Sequence, residues 1–219
     1  MSSELEAAAV LFDFDGTLAD TAPDLGAALN RLRGREGLAP LDVETLRPYA
    51  SMGARGMLRI GFSLTPQDGC YAGLREQFLR EYEQVLCNDT RLFPGVRELL
   101  DALENHGTPW GIVTNKARRF AERISDFLGV DPDVVVGGDD TPHFKQHPAS
   151  LLLAEQKLNI TRERAFYLGD DLRDIQAARA AAMKPVAVEW GYISPDNGGP
   201  AAWNADLVLS RPTDLLEHL

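Results

Sequence analysis

Six short apolar segments, separated by longer and more polar stretches, constrain the fold of this chain most. They cover residues 8–14, 110–113, 134–136, 165–168, 186–188 and 207–209. Short runs rich in β-branched and aromatic side chains are typical of buried β-strands. The sequence therefore predicts six strands, distributed from one end of the chain to the other.

The stretches between the predicted strands show the periodicity of amphipathic helices. Val96, Leu99, Leu100 and Leu103 recur at the i, i+3, i+4, i+7 spacing, and Gly107 is expected to end this helix. Similar stripes lie at residues 120–128 and 175–182. Alternating strands and helices favour an α/β fold, in which a Rossmann-like parallel sheet carries helices on both faces.

One interval interrupts this alternation. Residues 20–91 follow the first strand and are far longer than the dozen or so residues that a βαβ crossover needs. The interval has no strand pattern and shows amphipathic helical patterns, the longer of which is predicted to begin at Thr65. We therefore expect a helical cap at residues 20–91, inserted into a core formed by residues 1–19 and 92–219.

Acidic and polar side chains follow three of the predicted strands, and a lysine lies in a loop beyond another. They are Asp13, Asp15, Thr114, Asn115, Lys145, Asp170, Asp171 and Asp174. Because the carboxyl ends of parallel strands meet at one edge of a sheet, we expect these side chains to converge. Clustered carboxylates need a cation, and a carboxylate beside a hydroxyl and an ammonium suits phosphoryl transfer through a covalent intermediate.

These residues also form four motifs in a fixed order along the chain. The motifs are DFDGTL at 13–18, VTN at 113–115, Lys145, and GDDLRD at 169–174. In order and placement they resemble the motifs of the haloacid dehalogenase-like superfamily, across residues 13–174. A single short motif of this kind arises by chance, whereas four in order at predicted strand ends are specific.

The resemblance implies a catalytic role for each of the first three motifs. Asp13 would be the nucleophile, and Asp15 would be the general acid and base. Thr114, Asn115 and Lys145 would bind the phosphoryl group. An acid at position 15 favours a phosphatase over a dehalogenase, because a carbon–halogen bond needs no acid to protonate its leaving group.

The resemblance also implies Mg²⁺ as the cofactor. The carboxylates of Asp13 and Asp170 and the backbone carbonyl of Asp15 would hold the ion. Asp174 would lie behind them and orient the motif lysine or a metal-bound water. Asp171 has two open interpretations, a cap for the helix that follows it or a contribution to the metal site.

Two further segments narrow the group within the superfamily. Residues 15–25 resemble the start of phosphoglycolate phosphatases, and residues 190–195 are similar to a branch that acts on N-acetylmuramic acid 6-phosphate. Both substrates combine a phosphate monoester with a carboxylate, and the sequence leaves the choice between them open. Arg55, which lies between two glycines in the predicted cap, is the candidate to bind that carboxylate.

Alternative functions share most of these residues. A sugar-phosphate phosphatase or a phosphomutase of the same superfamily would share every motif residue. A non-catalytic signalling module that accepts a phosphoryl group on aspartate would share the sheet and the acidic cluster. Such a module needs neither a cap nor a leaving-group acid at Asp15, which favours an enzyme.

Charge and hydropathy exclude several classes of partner. The 219 residues include 22 Lys and Arg against 33 Asp and Glu, a net charge of −11. This charge opposes binding to nucleic acid or anionic lipid. The longest apolar run, residues 7–12, is far shorter than the roughly 20 residues of a membrane span. We expect a cytoplasmic enzyme, monomeric or homodimeric, that acts on a small phosphorylated metabolite.

Overall fold

The computed structural model describes residues 9–219, and a parallel six-stranded sheet forms its centre. The strands of the chain are β1 (Ala9–Phe12), β2 (Ala19–Asp20), β3 (Arg91–Leu92), β4 (Trp110–Val113), β5 (Val134–Val136), β6 (Ala165–Gly169), β7 (Lys184–Val188) and β8 (Leu207–Leu209). The order in the sheet is β5-β4-β1-β6-β7-β8, and all neighbours run parallel. β2 and β3 form a separate antiparallel pair.

The six predicted apolar segments are the six strands of the central sheet. β4, β5 and β8 have the predicted bounds, while β7 begins earlier, at Lys184. β1 ends at Phe12 rather than at Phe14, because the Phe14 N–H donates to the carboxylate of Asp13 instead of continuing the ladder. Residue 8 lies outside the described residues. The prediction of an α/β fold with a parallel sheet is confirmed.

Helices lie on both faces of the sheet. They are α1 (Ala22–Arg35), α2 (Val43–Leu46), α3 (Gly53–Phe62), α4 (Tyr71–Val85), α5 (Val96–His106), α6 (Arg118–Leu128), α7 (Ala149–Leu158) and α8 (Leu172–Ala180). Along β1, Val10 and Phe12 pack in one buried cluster with Leu99 of α5. Leu11, between them, points to the other face and packs in a second cluster with Leu151 of α7.

The predicted helix before β4 is confirmed as α5. Val96, Leu99, Leu100 and Leu103 are all buried, as their spacing requires. Gly107 follows the helix with φ of 69°, a left-handed conformation that glycine adopts without steric cost. Within residues 9–219, none of the helices has both the length and the apolar content that crossing a membrane requires.

The chain between β2 and β3 is helical throughout its regular structure. It contains α1 to α4 and a 3₁₀-helix at Arg47–Met52. α1 packs against α3 and α4, and Leu29, Phe78 and Tyr82 of these helices are fully buried. At the base of these helices, Asp20 of β2 pairs with Arg91 of β3. The chain therefore enters and leaves the helical segment at adjacent positions.

The predicted start of the longest helix in this segment is wrong. α4 begins at Tyr71, and the residues from Thr65 to Cys70 form turns. Both the backbone N–H and the hydroxyl of Thr65 donate to the carboxylate of Asp68, at 2.7 and 2.9 Å. The Thr-Pro pair that suggested a helix start thus belongs to a hydrogen-bonded turn that precedes the helix.

Asp24 joins the two ends of the helical segment. It lies in the first turn of α1, is 1% exposed, and accepts three hydrogen bonds from the chain that returns after α4. The donors are the backbone N–H groups of Asp89 (2.9 Å) and Thr90 (3.2 Å) and the Thr90 hydroxyl (2.6 Å). One buried carboxylate therefore fixes the start of α1 to the approach to β3.

Replacing Asp24 tests this connection. Asp24→Ala leaves three donors without their acceptor, and we expect the free energy of unfolding to fall by about 2 to 4 kcal/mol. Urea denaturation followed by circular dichroism measures the loss. The matched control is Asp101→Ala, an exposed acid on α5, which is expected to leave the stability within experimental error. Equal stabilities for the two variants would contradict the role given to Asp24.

Candidate active site

Three neighbouring strands of the sheet end at one place. Asp13 follows β1, Thr114 follows β4 and Asp170 follows β6, and β1 lies between the other two strands. All three side chains are buried. Carboxylate oxygens of Asp13, Asp170 and Asp174 lie within 4.8 Å of one another. The parallel topology thus brings together side chains that are far apart in the sequence.

Lys145 neutralises part of this acidic cluster. Its Nζ lies 2.7 Å from Asp13 Oδ1 and 2.7 Å from Asp174 Oδ1, and its side chain is only 3% exposed. The ammonium also donates to the Tyr167 hydroxyl at 3.0 Å. Burial lowers the pKa of Lys145, but the two carboxylates raise it by more, so that the pKa lies above its usual value. The lysine is therefore held in its charged form.

Asp13 contacts its neighbours through one carboxylate oxygen. Its Oδ1 accepts from the Phe14 N–H at 2.7 Å and pairs with the Lys145 ammonium. Within residues 9–219, no hydrogen-bond donor is recorded for its Oδ2. The two donors thus hold the carboxylate through Oδ1.

Asp170 is the most deeply buried acid of the cluster. Its carboxylate accepts hydrogen bonds from the Ser51 hydroxyl (2.6 Å), the Tyr192 N–H (2.8 Å) and the Thr17 hydroxyl (3.4 Å). Burial, followed by the negative charges of Asp13 and Asp174, raises the pKa of Asp170 well above its usual value. Within residues 9–219, no ion pair joins Asp170 to a basic side chain.

The cluster has more negative charge than its one lysine can balance. Burial raises the pKa of Asp174 to about 7, although Lys145 opposes this shift, and Asp13 adds to it. Burial and the neighbouring negative charges both disfavour the ionised carboxylates, and a nearby cation would offset these effects. Oxygen ligands with excess negative charge are the environment that a hard divalent cation prefers. The residues present therefore fit a divalent cation.

Asp15 lies in the tight turn that follows β1. Its Oδ1 accepts a short hydrogen bond from the Thr21 hydroxyl and lies 3.1 Å from Lys116 Nζ. The next residue, Gly16, has φ of 86°, and a Cβ there would lie 2.0 Å from Asp170 Oδ2. Only glycine fits this position, so the turn can bring Asp15 close to the acidic cluster.

Thr114 and Asn115, the two motif residues that follow β4, make different contacts. Thr114 is buried, and its hydroxyl accepts from the Lys116 N–H at 3.2 Å. Asn115 Oδ1 accepts from the backbone N–H of Lys145 at 2.9 Å. Asn115 thus holds the loop that carries the lysine, and this contact is distinct from the phosphate contact predicted for it.

Asp171 caps a helix and does not join the acidic cluster. Its Oδ1 accepts from the Arg173 N–H, while the Asp174 carboxylate accepts from the Asp171 N–H, which completes a capping box at the start of α8. The Arg173 guanidinium pairs with both oxygens of Asp171, at 2.8 and 3.0 Å. Of the two interpretations of Asp171, this geometry favours the helix cap.

Arg55 lies in a cleft beside the cluster. The cleft has a volume of about 550 Å³ and runs between α3 and the loops after β5, β6 and β7. Arg55 and Arg59 of α3 line one side, and Gln146 and Arg173 line another. Arg59 pairs with Asp196 at 3.1 Å, whereas no ion pair of Arg55 is recorded within residues 9–219. Arg55 is exposed and has no contact with the acidic cluster in this structure.

Several residues at the site were not predicted to be functional. Ser51 reaches Asp170 from the helical segment, and Lys116 reaches Asp15 from the end of β4. The Tyr192 hydroxyl accepts from the N–H groups of Thr21 and Ala22, at 2.6 and 2.9 Å. Lys116 carried one usable signal, its place directly after a motif residue at a strand end. Tyr192 lies in the segment 190–195 that resembles a known branch, but that resemblance did not predict its contacts. Ser51 carried no signal, because its contact depends on how distant segments pack.

Comparison with known proteins identifies the family. The family model of the haloacid dehalogenase-like hydrolases matches residues 10–188. The chain belongs to this family. It is 42% identical to the N-acetylmuramic acid 6-phosphate phosphatase of Pseudomonas aeruginosa, over 96% of this chain and 94% of that protein. It is also 42% identical to a phosphoglycolate phosphatase of Xanthomonas campestris, over 95% of each chain.

Solved structures agree with this assignment. The hydrolase superposes on a predicted phosphoglycolate phosphatase of Haemophilus somnus with a TM-score of 0.85 and 26% identity. The alignment covers 97% of each chain. The resemblance stated from four sequence motifs is therefore confirmed, and so is the fold expected from it.

Proposed function

We propose that this hydrolase is a phosphatase that cleaves the phosphate monoester of a small metabolite through an aspartyl-phosphate intermediate. The observation that carries the proposal is the buried contact of Lys145 with both Asp13 and Asp174, at 2.7 Å each. It joins three of the four motifs in one cluster. Two relatives at 42% identity are named as phosphatases, which supports the same activity here.

The proposal includes a division of the chain into two parts. Residues 20–91 form a cap, and residues 1–19 and 92–219 form the catalytic core, of which residues 1–8 lie outside the described part. The pairing of β2 with β3 and the contacts of Asp24 support a boundary where the chain enters and leaves the cap. Ser51, at 2.6 Å from Asp170, supports a cap that closes over the site.

In the first half of the reaction, Asp13 acts as the nucleophile. Its carboxylate oxygen forms a bond to phosphorus while the bond between phosphorus and the leaving oxygen breaks. Asp15 gives its proton to that leaving oxygen, and the alcohol departs. Lys145 holds Asp13 through Oδ1, so that Oδ2 is free to attack, and the Thr114 hydroxyl lies where it can donate to a phosphoryl oxygen.

In the second half, water releases the phosphate. Asp15, now ionised, takes a proton from water, and the water oxygen forms a bond to phosphorus. The bond from phosphorus to Asp13 breaks, which returns the carboxylate and yields inorganic phosphate. Burial of the cluster keeps other water away from the intermediate, since the three acids and the lysine are nearly inaccessible to solvent.

The cofactor that we propose is Mg²⁺. The carboxylates of Asp13 and Asp170 and the backbone carbonyl of Asp15 would hold it, with Asp174 behind them. When bound, the ion reduces the repulsion between the anionic nucleophile and the anionic phosphate. The excess negative charge of the cluster supports this assignment.

The substrate that we propose carries a carboxylate as well as the phosphate. The two relatives are named for phosphoglycolate and for N-acetylmuramic acid 6-phosphate, which share these groups. Arg55 supports this class, because its guanidinium lines the cleft and has no recorded acidic partner within residues 9–219.

The activity is tested by a phosphate-release screen. The substrates are 2-phosphoglycolate, N-acetylmuramic acid 6-phosphate, common sugar phosphates and p-nitrophenyl phosphate. We expect release from a carboxylate-bearing substrate, and loss of more than about 1000-fold in Asp13→Asn, because removing the nucleophile disables the whole catalytic unit. Asp126→Asn, an exposed acid on α6, is the control. A tenth of the wild-type rate in Asp13→Asn, or conversion of a sugar phosphate without phosphate release, would contradict the proposal.

Metal binding is tested without activity. Adding Mg²⁺ to chelator-treated protein is expected to raise the melting temperature, by about 5 °C or more at 100 times the dissociation constant. Asp170→Asn is expected to lose this response. Asp171→Asn is the matched control and should keep it, because asparagine also caps a helix. A response in Asp170→Asn equal to that of the wild type would remove Asp170 from the metal site.

Recognition of the carboxylate is tested with Arg55→Ala. We expect kcat/KM for the carboxylate-bearing substrate to fall about 10- to 100-fold, since a charge-assisted hydrogen-bonded pair is lost. The value for p-nitrophenyl phosphate should change little. Arg59→Ala, on the same helix, is the matched control with a smaller expected effect, because Arg59 already pairs with Asp196. Equal losses on both substrates would show that Arg55 does not read the carboxylate.

A further inference from the structure

Lys116 is a buried lysine that the proposed mechanism does not use. It follows β4, and its side chain is 5% exposed. The Nζ lies 3.1 Å from Asp15 Oδ1 and donates to the Tyr82 hydroxyl at 3.0 Å. Placing an ammonium group in the interior is costly unless it is paired and hydrogen-bonded. The role of Lys116 can therefore be inferred from the two side chains that it contacts.

One partner comes from the helical segment between β2 and β3. Tyr82 lies on α4. Its ring stacks on the ring of Phe78 and packs edge to face against the ring of Phe120. The Lys116 ammonium lies 4.6 Å from the centre of the Tyr82 ring, close enough for a cation–π contact in addition to the hydrogen bond. The packing of α4 thus fixes the position of the lysine.

The other partner is Asp15, and its contacts involve a single oxygen. Lys116 and the Thr21 hydroxyl both reach Oδ1, and no partner of Oδ2 is recorded within residues 9–219. Two contacts to one oxygen prevent the carboxyl group from rotating. The oxygen that would carry the transferred proton is left free.

We propose that Lys116 is a positioning residue for Asp15, and that Tyr82 extends this support into the helical segment. The inference rests on the phosphatase activity proposed above and adds to it a route by which α4 supports the acid–base step without touching the substrate. If Lys116 and Tyr82 only joined the two segments, the ammonium of Lys116 would not need to contact Asp15. Neither residue belongs to the four motifs.

The test separates proton transfer from other effects by the choice of leaving group. Phenyl phosphate and p-nitrophenyl phosphate have nearly the same shape, but phenolate is the more basic leaving group and needs the proton from Asp15 more. The value of kcat/KM covers the steps up to departure of the leaving group, so later attack by water does not enter it. The ratio of the two kcat/KM values therefore reports on the acid alone.

We expect Lys116→Met to lower the ratio of phenyl to p-nitrophenyl kcat/KM by about tenfold, a modest part of what a general acid contributes. Tyr82→Phe keeps the ring packing and all charges, and is expected to lower the ratio about threefold, as for one lost hydrogen bond. Tyr71→Phe, on the same helix, should leave the ratio unchanged. Because Tyr82→Phe preserves the buried charges, it tests the proposal even if Lys116→Met folds poorly.

A double-mutant cycle shows whether Lys116 acts through Asp15. In an Asp15→Asn background, Lys116→Met should change the ratio less than about twofold, because the group it positions is already gone. Additive effects, or equal losses on both substrates in Lys116→Met and Tyr82→Phe, would overturn the proposal. The wild-type rate in the same assay reports separately on phosphatase activity, so either conclusion can fail without the other.

Discussion

The crowding of buried carboxylates around one ammonium group is the constraint on which the site depends. Parallel strands β1 and β6 lie next to each other, so their carboxyl ends bring Asp13 and Asp170 together whatever the charges prefer. Lys145 offsets part of the repulsion, and its loop is held by Asn115. The remaining negative charge is of the kind that a hard divalent cation would offset. The topology thus creates the concentration of negative charge, and the anchored loop supplies the ammonium that offsets part of it.

Most of the fold could be predicted because its determinants are local. A strand buried on both faces reads as a short apolar run, and an amphipathic helix shows its stripe, whatever lies elsewhere in the chain. The start of α4 could not be predicted in this way. Thr65 has the sequence features of a helix cap, but its hydroxyl donates to the Asp68 carboxylate, and turns precede the helix that begins at Tyr71. Such a choice between local hydrogen bonds is decided by packing, which the pattern does not contain.

The site likewise has features that could be predicted from the sequence and features that could not. Asp13, Thr114 and Asp170 could be predicted to converge because the carboxyl ends of parallel strands meet at one edge of a sheet, and Lys145 was expected to join them from a loop. The contact of Ser51 with Asp170 and that of Thr21 with Tyr192 span 119 and 171 residues, and each depends on how the helical segment lies against the core. Asn115 shows an intermediate case: its place in the site was predictable, whereas its contact with the Lys145 backbone was not.

The use of basic residues follows from the same physical requirements. Only four of the 22 basic residues are lysines, and two of these, Lys116 and Lys145, are inserted among the acids of the site. A compact ammonium can contact two carboxylates in a space too small for a guanidinium. Arginine suits the open cleft, where its planar fork can bind a carboxylate with two hydrogen bonds. In a chain with a net charge of −11, these two lysines place positive charge among the acids of the proposed site.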